Sequence, residues 1–326
     1  MLTRRRLLAA LPALVAAEAS LSAGTRHARG QLVESEAATL PPALGDIRTQ
    51  RYRVGVIVAA EGAACGGLYA TLPVPAEWPE QRVRIVKEEV SKGVRDLHYR
   101  PLGGGVQQLV VTIPGVAAGG KEFAVMTFEL ERAAIVAPPD TSAWRIPEKP
   151  DRGLRGHLGP GPYIESRDPK IVRFAKDAAA DHEGWARVEA IYDAVRERVE
   201  YRNGDLKGAR RALADGWGDC EELTCLFIAA ARSQGIPART VWVEGHCYPE
   251  FYLENETGRG CWHPCQAAGT RAFGSMPDQL PILQKGDAFR DPDRPGKQLR
   301  YVSEFMKGTA RGSGGAPRVV WVREGA

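Results

Sequence analysis

At 326 residues the chain is longer than one ordinary domain, and two are expected. With 44% apolar and 26% charged residues it has the make-up of a globular protein with a core, not of a disordered or fibrous one. The formal net charge is +4, and no basic stripe with interleaved aromatics is present, so no nucleic-acid partner is expected.

The first element is a leader over residues 1–23. Arg4, Arg5 and Arg6 make a basic start, an apolar run reaches Ala17, and Ala17, Ala19, Ser22 and Ala23 offer a small-residue cleavage site. This is the pattern of a secretory signal peptide, and Thr3-Arg4-Arg5-Arg6-Leu7-Leu8 resembles a twin-arginine export signal. A periplasmic or extracellular location is expected. The run of about 11 apolar residues falls short of the roughly 20 that span a bilayer, so no stable membrane insertion is expected after cleavage. Residues 24–46 read as a flexible mature N-terminus.

Residues 47–136 have strand texture. Tyr52, Val54, Val56 and Val58 alternate at period two, and Leu68 to Val74, Val83 to Val86, Leu109 to Ile113 and Phe123 to Leu130 follow with turn signals between them. A β-sandwich of structural or substrate-placing role is expected. Residues 137–168, rich in Pro and Gly, read as a linker. Helical spacing then begins: Ile171, Phe174, Ala175 and Ala178 share one face, and Trp185, Val188, Ile191, Tyr192, Val195 and Val199 share another.

The turn Gly216-Trp217-Gly218-Asp219 delivers Cys220 to the start of a third helix. Leu223, Leu226, Phe227 and Ala230 recur at helical spacing, and Gly235 with Pro237 ends it. A cysteine at a helix N-terminus is favoured as thiolate by the dipole and the orphan N–H groups. Strands are expected at 240–243, 246–253 and 261–266, so residues 169–270 make an α+β domain: a cysteine-bearing helix on an antiparallel sheet. Residues 271–326 read as a less regular C-terminal extension in which Val319 to Val322 could add a strand.

A nucleophilic thiolate needs a base and a group that orients the base. His246 is the candidate base. Gln266 can orient it if the register sets 246 opposite 266, and Cys265 takes that place if the strand slips by one. An amide can fix the imidazole tautomer but cannot stabilise imidazolium as a carboxylate does. Trp217 is either a donor to an oxyanion, beside the Cys220 backbone N–H, a pocket wall, or a packing aromatic. Asp219 and Glu222 read as a helix cap and a first-turn acid, Cys225 as core, Glu250 as a solvated strand residue, and Arg239 as the partner of an acid.

Six cysteines in an exported chain also suggest disulfides involving Cys247, Cys261 or Cys265. A zinc site drawn from Cys220, Cys225, His246, Cys247, Cys261, His263 and Cys265 competes, but the spacings lack a zinc knuckle. No metal and no cofactor are expected.

In order, Gly218-Asp219-Cys220, Gly235-Ile236-Pro237-Ala238-Arg239, Gly245-His246 and Trp262-His263-Pro264 resemble the transglutaminase-like superfamily over roughly residues 165–270. The resemblance implies a papain-like fold, with Cys220 as nucleophile and His246 as base. The position of the superfamily's Asp is occupied by Gln266, and Cys247-Tyr248 stands where Ala-Trp is usual. The resemblance further implies acyl transfer on a protein or peptide amide through a Cys220 thioester, with hydrolysis favoured over cross-linking. The rival is a weak or inactive binding or scaffold module on the same fold.

Overall fold

In the computed structural model, which describes residues 39–311 and 316–325, the first six strands divide between two sheets. They are β1 (Ala43–Ala59), β2 (Cys65–Val74), β3 (Gln81–Val90), β4 (Asp96–Pro101), β5 (Gln107–Val116) and β6 (Lys121–Val136). Successive side chains on a strand point to opposite faces. That is why Tyr52, Val54, Val56 and Val58 line one core with Leu109, Val111 and Ile113.

The helical part follows: α1 (Arg152–Arg155), α2 (Pro169–Ala178), α3 (Gly184–Arg198), β7 (Glu200–Tyr201), α4 (Ala209–Asp215), β8 (Trp217–Gly218) and α5 (Cys220–Ser233). Then come β9 (Ala238–Val243), β10 (His246–Glu254), β11 (Gly260–Pro264) and β12 (Ile282–Lys285), paired antiparallel in the order β11-β10-β9-β12. Helix α5 lies against this sheet, with α3 packed on it. Leu226, Phe227 and Ile228 are fully buried and share a cluster with Ile191 and Tyr192 of α3 and Phe251 of β10. Burying such a side chain contributes about 1.5–3 kcal/mol, more than helix propensity can, so packing holds α5 in place. The fold is α+β: a cysteine-bearing helix on an antiparallel sheet, joined to a β-sandwich.

The last strands are β13 (Phe289–Arg290), β14 (Gln298–Leu299), β15 (Phe305–Ala310) and β16 (Arg318–Gly325). Strand β16 pairs with β1 and β15 with β2. The sandwich is therefore two four-stranded sheets, β16-β1-β6-β3 and β15-β2-β5-β4. Three expected boundaries change. Residues 271–326 are no appendage, because they complete both sandwich sheets and the edge of the core sheet. Residues 137–168 are no free linker. Arg145 bridges Glu254, Trp144 and Ile146 pack on the core, and Leu154 is buried with Tyr252 and Trp262. Residues 1–38 lie outside the described part, but Thr39 bridges Gly260 and β1 begins at Ala43, so the expected flexible stretch does not reach 46.

Glu250 corrects another expectation. It is 1% exposed, at the junction of sandwich and core. Its carboxylate accepts from Lys285 Nζ at 2.6 Å and from Arg239 Nε at 3.0 Å, while Lys285 also reaches Glu80 at 2.6 Å. Arg132, fully buried, lies in the same layer and donates to Tyr248. Burial alone would raise the Glu250 pKa, but the charges of Lys285 and Arg239 outweigh it and hold it below the usual carboxylate value. The alternating pattern of β10 could not reveal this, because the sandwich covers the face that would otherwise be wet.

Candidate active site

The start of α5 is shaped by two glycines. Gly216 ends α4 in the left-handed region, at φ 73°. At Gly218 a Cβ would stand 2.4 Å from the Cβ of Glu222, so only glycine lets the chain pass there. Asp219 then caps α5, accepting from Glu221 N at 2.8 Å, and Glu222 reaches back to Asp219 N at 3.2 Å. The cap was expected of Asp219; the return bond makes it a capping box and draws the Glu222 carboxylate onto the backbone. Glu222 also accepts from Lys207 N at 2.9 Å. Glu221 pairs with Arg300, and burial pushes its carboxyl up to about 7. The acids beside Cys220 are therefore engaged or partly protonated, which limits their opposition to a thiolate.

Cys220 is half-buried, while the other five cysteines are buried; all six are unpaired. Its pKa is pulled down to about 5. The largest cause is a hydrogen bond from the Cys247 thiol; burial works the other way, and a hydrogen bond and charge from His246 add to the depression. Cys247 is fully enclosed and its own thiol is pushed well up, so the proton stays on Cys247 and the charge on Cys220. For His246 burial favours the neutral ring, but hydrogen bonds with Cys220 and Gln266 and the charges of Cys220 and Asp278 outweigh it, leaving its pKa raised. The two shifts, Cys220 down and His246 up, both favour a thiolate beside an imidazolium. Tyr52 of the sandwich donates to Glu244, in the turn just before His246.

Cys247 stands where the superfamily pattern has alanine, and that departure was the signal for its role. With Cys247→Ala, the midpoint of Cys220 alkylation is expected to move up from about 5 toward the ordinary thiol range. The alkylation rate near pH 5.5 should fall about threefold or more, read by mass spectrometry across a pH series. An unmoved midpoint would remove Cys247 from the account.

His246 Nε2 and Gln266 Oε1 are 2.9 Å apart, so the structure brings these predicted residues together. The expected route to that contact was different. The β10–β11 ladder runs from Glu250 opposite Pro264 to Glu254 opposite Gly260, and extending it sets Gln266 opposite Tyr248, not His246. Gln266 lies past the end of β11, and its side chain reaches His246 diagonally. Its backbone is pinned: Tyr192 Oη and Arg196 donate to its carbonyl at 2.8 and 2.9 Å.

Cys265, the alternative third member, is fully buried in the core and its thiol is pushed well up. Trp217 is a packing aromatic. Its ring carries the Arg202 guanidinium, 4.2 Å from the centroid, and Lys207 Nζ at 3.0 Å. The Asp219–Glu222 cap does not use the Cys220 backbone N–H, which remains available to an oxyanion. His263 sits among Trp144, Trp185 and Phe251, and burial lowers its pKa to about 3. Among the described residues no group of His, Cys, Asp or Glu converges as a metal site.

A cavity of about 810 Å³ has His246, Gln266, Leu223, Tyr201 and Asp278 in its wall. Cys220 is not part of that wall. Asp278 is the residue that reading the sequence missed: Gln266 Nε2 donates to its Oδ2 at 3.3 Å. It lies in a stretch without helical or strand periodicity, and a lone acid in a loop gives no signal by itself.

Residues 172–267 match the transglutaminase-like superfamily, a span that holds Cys220, His246 and Gln266. Among solved structures the chain is similar to a candidate cysteine protease from Cytophaga hutchinsonii, with 17% identity, 85% of this chain and 93% of that chain covered, and a TM-score of 0.53. It also matches the periplasmic domain of TgpA from Pseudomonas aeruginosa bound to ethylmercury, with 14% identity, 67% and 89% of the two chains covered, and a TM-score of 0.32. No curated protein matches the chain significantly. None of its described helices is long and apolar enough to cross a membrane. The fold, the order of the motifs and the match over 172–267 agree in likening this part of the chain to the transglutaminase-like superfamily.

Proposed function

We propose that the protein is an exported cysteine amidase or peptidase that cleaves protein or peptide amides through a Cys220 thioester. The observation that carries this reading is the ionised pair: Cys220 depressed to about 5 beside a His246 whose pKa is raised, with Gln266 on the other imidazole nitrogen. Because Gln266 occupies Nε2, Nδ1 is the nitrogen left for the sulfur. The thiolate attacks the amide carbon, the oxyanion is met by the Cys220 N–H, and imidazolium passes its proton to the leaving amine. The neutral imidazole then takes a proton from water, which attacks the thioester and releases the acid. Water as the acceptor is supported by the likeness to a candidate cysteine protease. Export is supported by the leader over 1–23.

Alkylation with limiting iodoacetamide at neutral pH tests the pair. Cys220 is expected to be labelled well ahead of the five buried cysteines, and the labelled protein should release no amine from a peptide-amide library. Equal labelling of all six would leave only a binding module on this fold, and full turnover after labelling would take the nucleophile's role from Cys220.

A further inference from the structure

Gln266 is an ambiguous orienting group taken alone. Its amide has one end that accepts and one that donates, and turning it over would present Nε2 to the imidazole. His246 would then have to offer Nε2 as an acceptor, and the only proton left on the neutral ring would be on the side of the sulfur. A carboxylate cannot donate, so an acid on the far side of the amide removes the ambiguity. Asp278 is such an acid, with Oδ2 3.3 Å from Gln266 Nε2.

We propose that Asp278 is a positioning residue: it fixes the direction of the Gln266 amide, which in turn fixes the tautomer and tilt of His246. This rests on Cys220 and His246 being the acyl-transfer pair. The acid that the superfamily pattern places directly on histidine then acts here through one intervening amide.

The surroundings support the assignment. Other charged and titratable groups near His246 are Cys220, Cys247, Glu200, Tyr201, Arg196 and Arg271. Arg196 is spent on the carbonyls of Gln266, Ala267 and Gly269, and Arg271 on Glu189 and Asp193. Asp278 is the acid bonded to the amide that holds the ring. It is exposed, yet its loop is tied to the sandwich on both sides. Met276 and Ile135 exchange backbone hydrogen bonds at 2.9 Å each way. Gln279 Nε2 donates to Arg132 O at 3.0 Å and Asp46 O at 2.6 Å, and Gln50 Nε2 donates to Gln279 O at 2.5 Å. The sandwich therefore has a task in the site: it holds the loop that carries the acid.

Asp278→Asn replaces an acceptor-only group by one that can also donate. Turnover is expected to fall about three- to tenfold, more at low salt than at high salt because the carboxylate is exposed. The fall should lie in kcat more than in KM. The alkaline limb of Cys220 alkylation should move to lower pH, since a charge that favours imidazolium is gone, and Asp278→Glu should restore both. Gln266→Glu alone puts two carboxylates in contact, and adding Asp278→Asn to it should recover activity.

Wild-type kcat and an unmoved alkaline limb in Asp278→Asn, or no gain from the double variant, overturns the proposal. If native protein shows no amide turnover at all, the proposed function fails, while the limb of the alkylation profile still decides what Asp278 does to His246.

Discussion

His246→Ala is expected to lower amide turnover by about 10²–10⁴-fold, the usual reach of a positioned acid–base group. The loss should fall on kcat, because the imidazole moves protons in the reaction and supplies little area to hold a peptide. The thiol will respond less than the turnover does. Cys220 owes its low pKa first to the Cys247 thiol and only then to His246, so the alkylation midpoint should rise without reaching that of a free thiol. Native protein should show a bell-shaped profile, rising as Cys220 ionises near 5 and falling above the raised pKa of His246, where imidazolium is lost. A variant within tenfold of native turnover would take the base role from His246.

The second large effect concerns stability. Glu250→Gln keeps the shape of the side chain and removes a carboxylate that answers Lys285 and Arg239 in a buried layer also holding Arg132. Glu80 stays bonded to Lys285, but the charge that answered both Lys285 and Arg239 is gone. Breaking a buried pair from one side costs about 3–5 kcal/mol, because the partner's charge stays desolvated. A fall of roughly 10 °C in the thermal midpoint is expected by calorimetry. Arg271→Ala is the control. Its ion pairs to Asp193 and Glu189 are largely solvated, and exposed pairs contribute about 0–1 kcal/mol. Equal shifts for the two variants would contradict the burial argument.

Local chemistry made much of this legible from the residues. The cap at Asp219, the helix behind Cys220, the strand after Pro237 and the partnership of Arg239 with an acid all follow from spacing, turn residues or charge, and all are found. The encounter of His246 with Gln266 was legible as a pairing but not as a register, because Gln266 lies beyond the ladder. What stayed hidden depends on chain segments far apart in sequence. Glu250 looks solvated until the sandwich covers it, and Asp278 looks idle until Ile135 and Arg132 fix the loop around it. Trp217 shows the converse. An aromatic three residues before a reactive cysteine invites a catalytic reading, but its ring is engaged by Arg202 and Lys207.

The pairing of β16 with β1 sets an order of events during synthesis. Tyr52 lies opposite Gly325, so the first strand waits for β16. About 180 residues separate β6 from β16. At roughly 5–20 residues per second a ribosome needs on the order of 10–40 s to cover them. Through that interval β1 and β2 each carry an edge with no neighbour, and unpaired strand edges are templates for aggregation. A ribosome stalled between β12 and β15 would therefore release a chain whose core sheet could close while its sandwich stayed open on two sides.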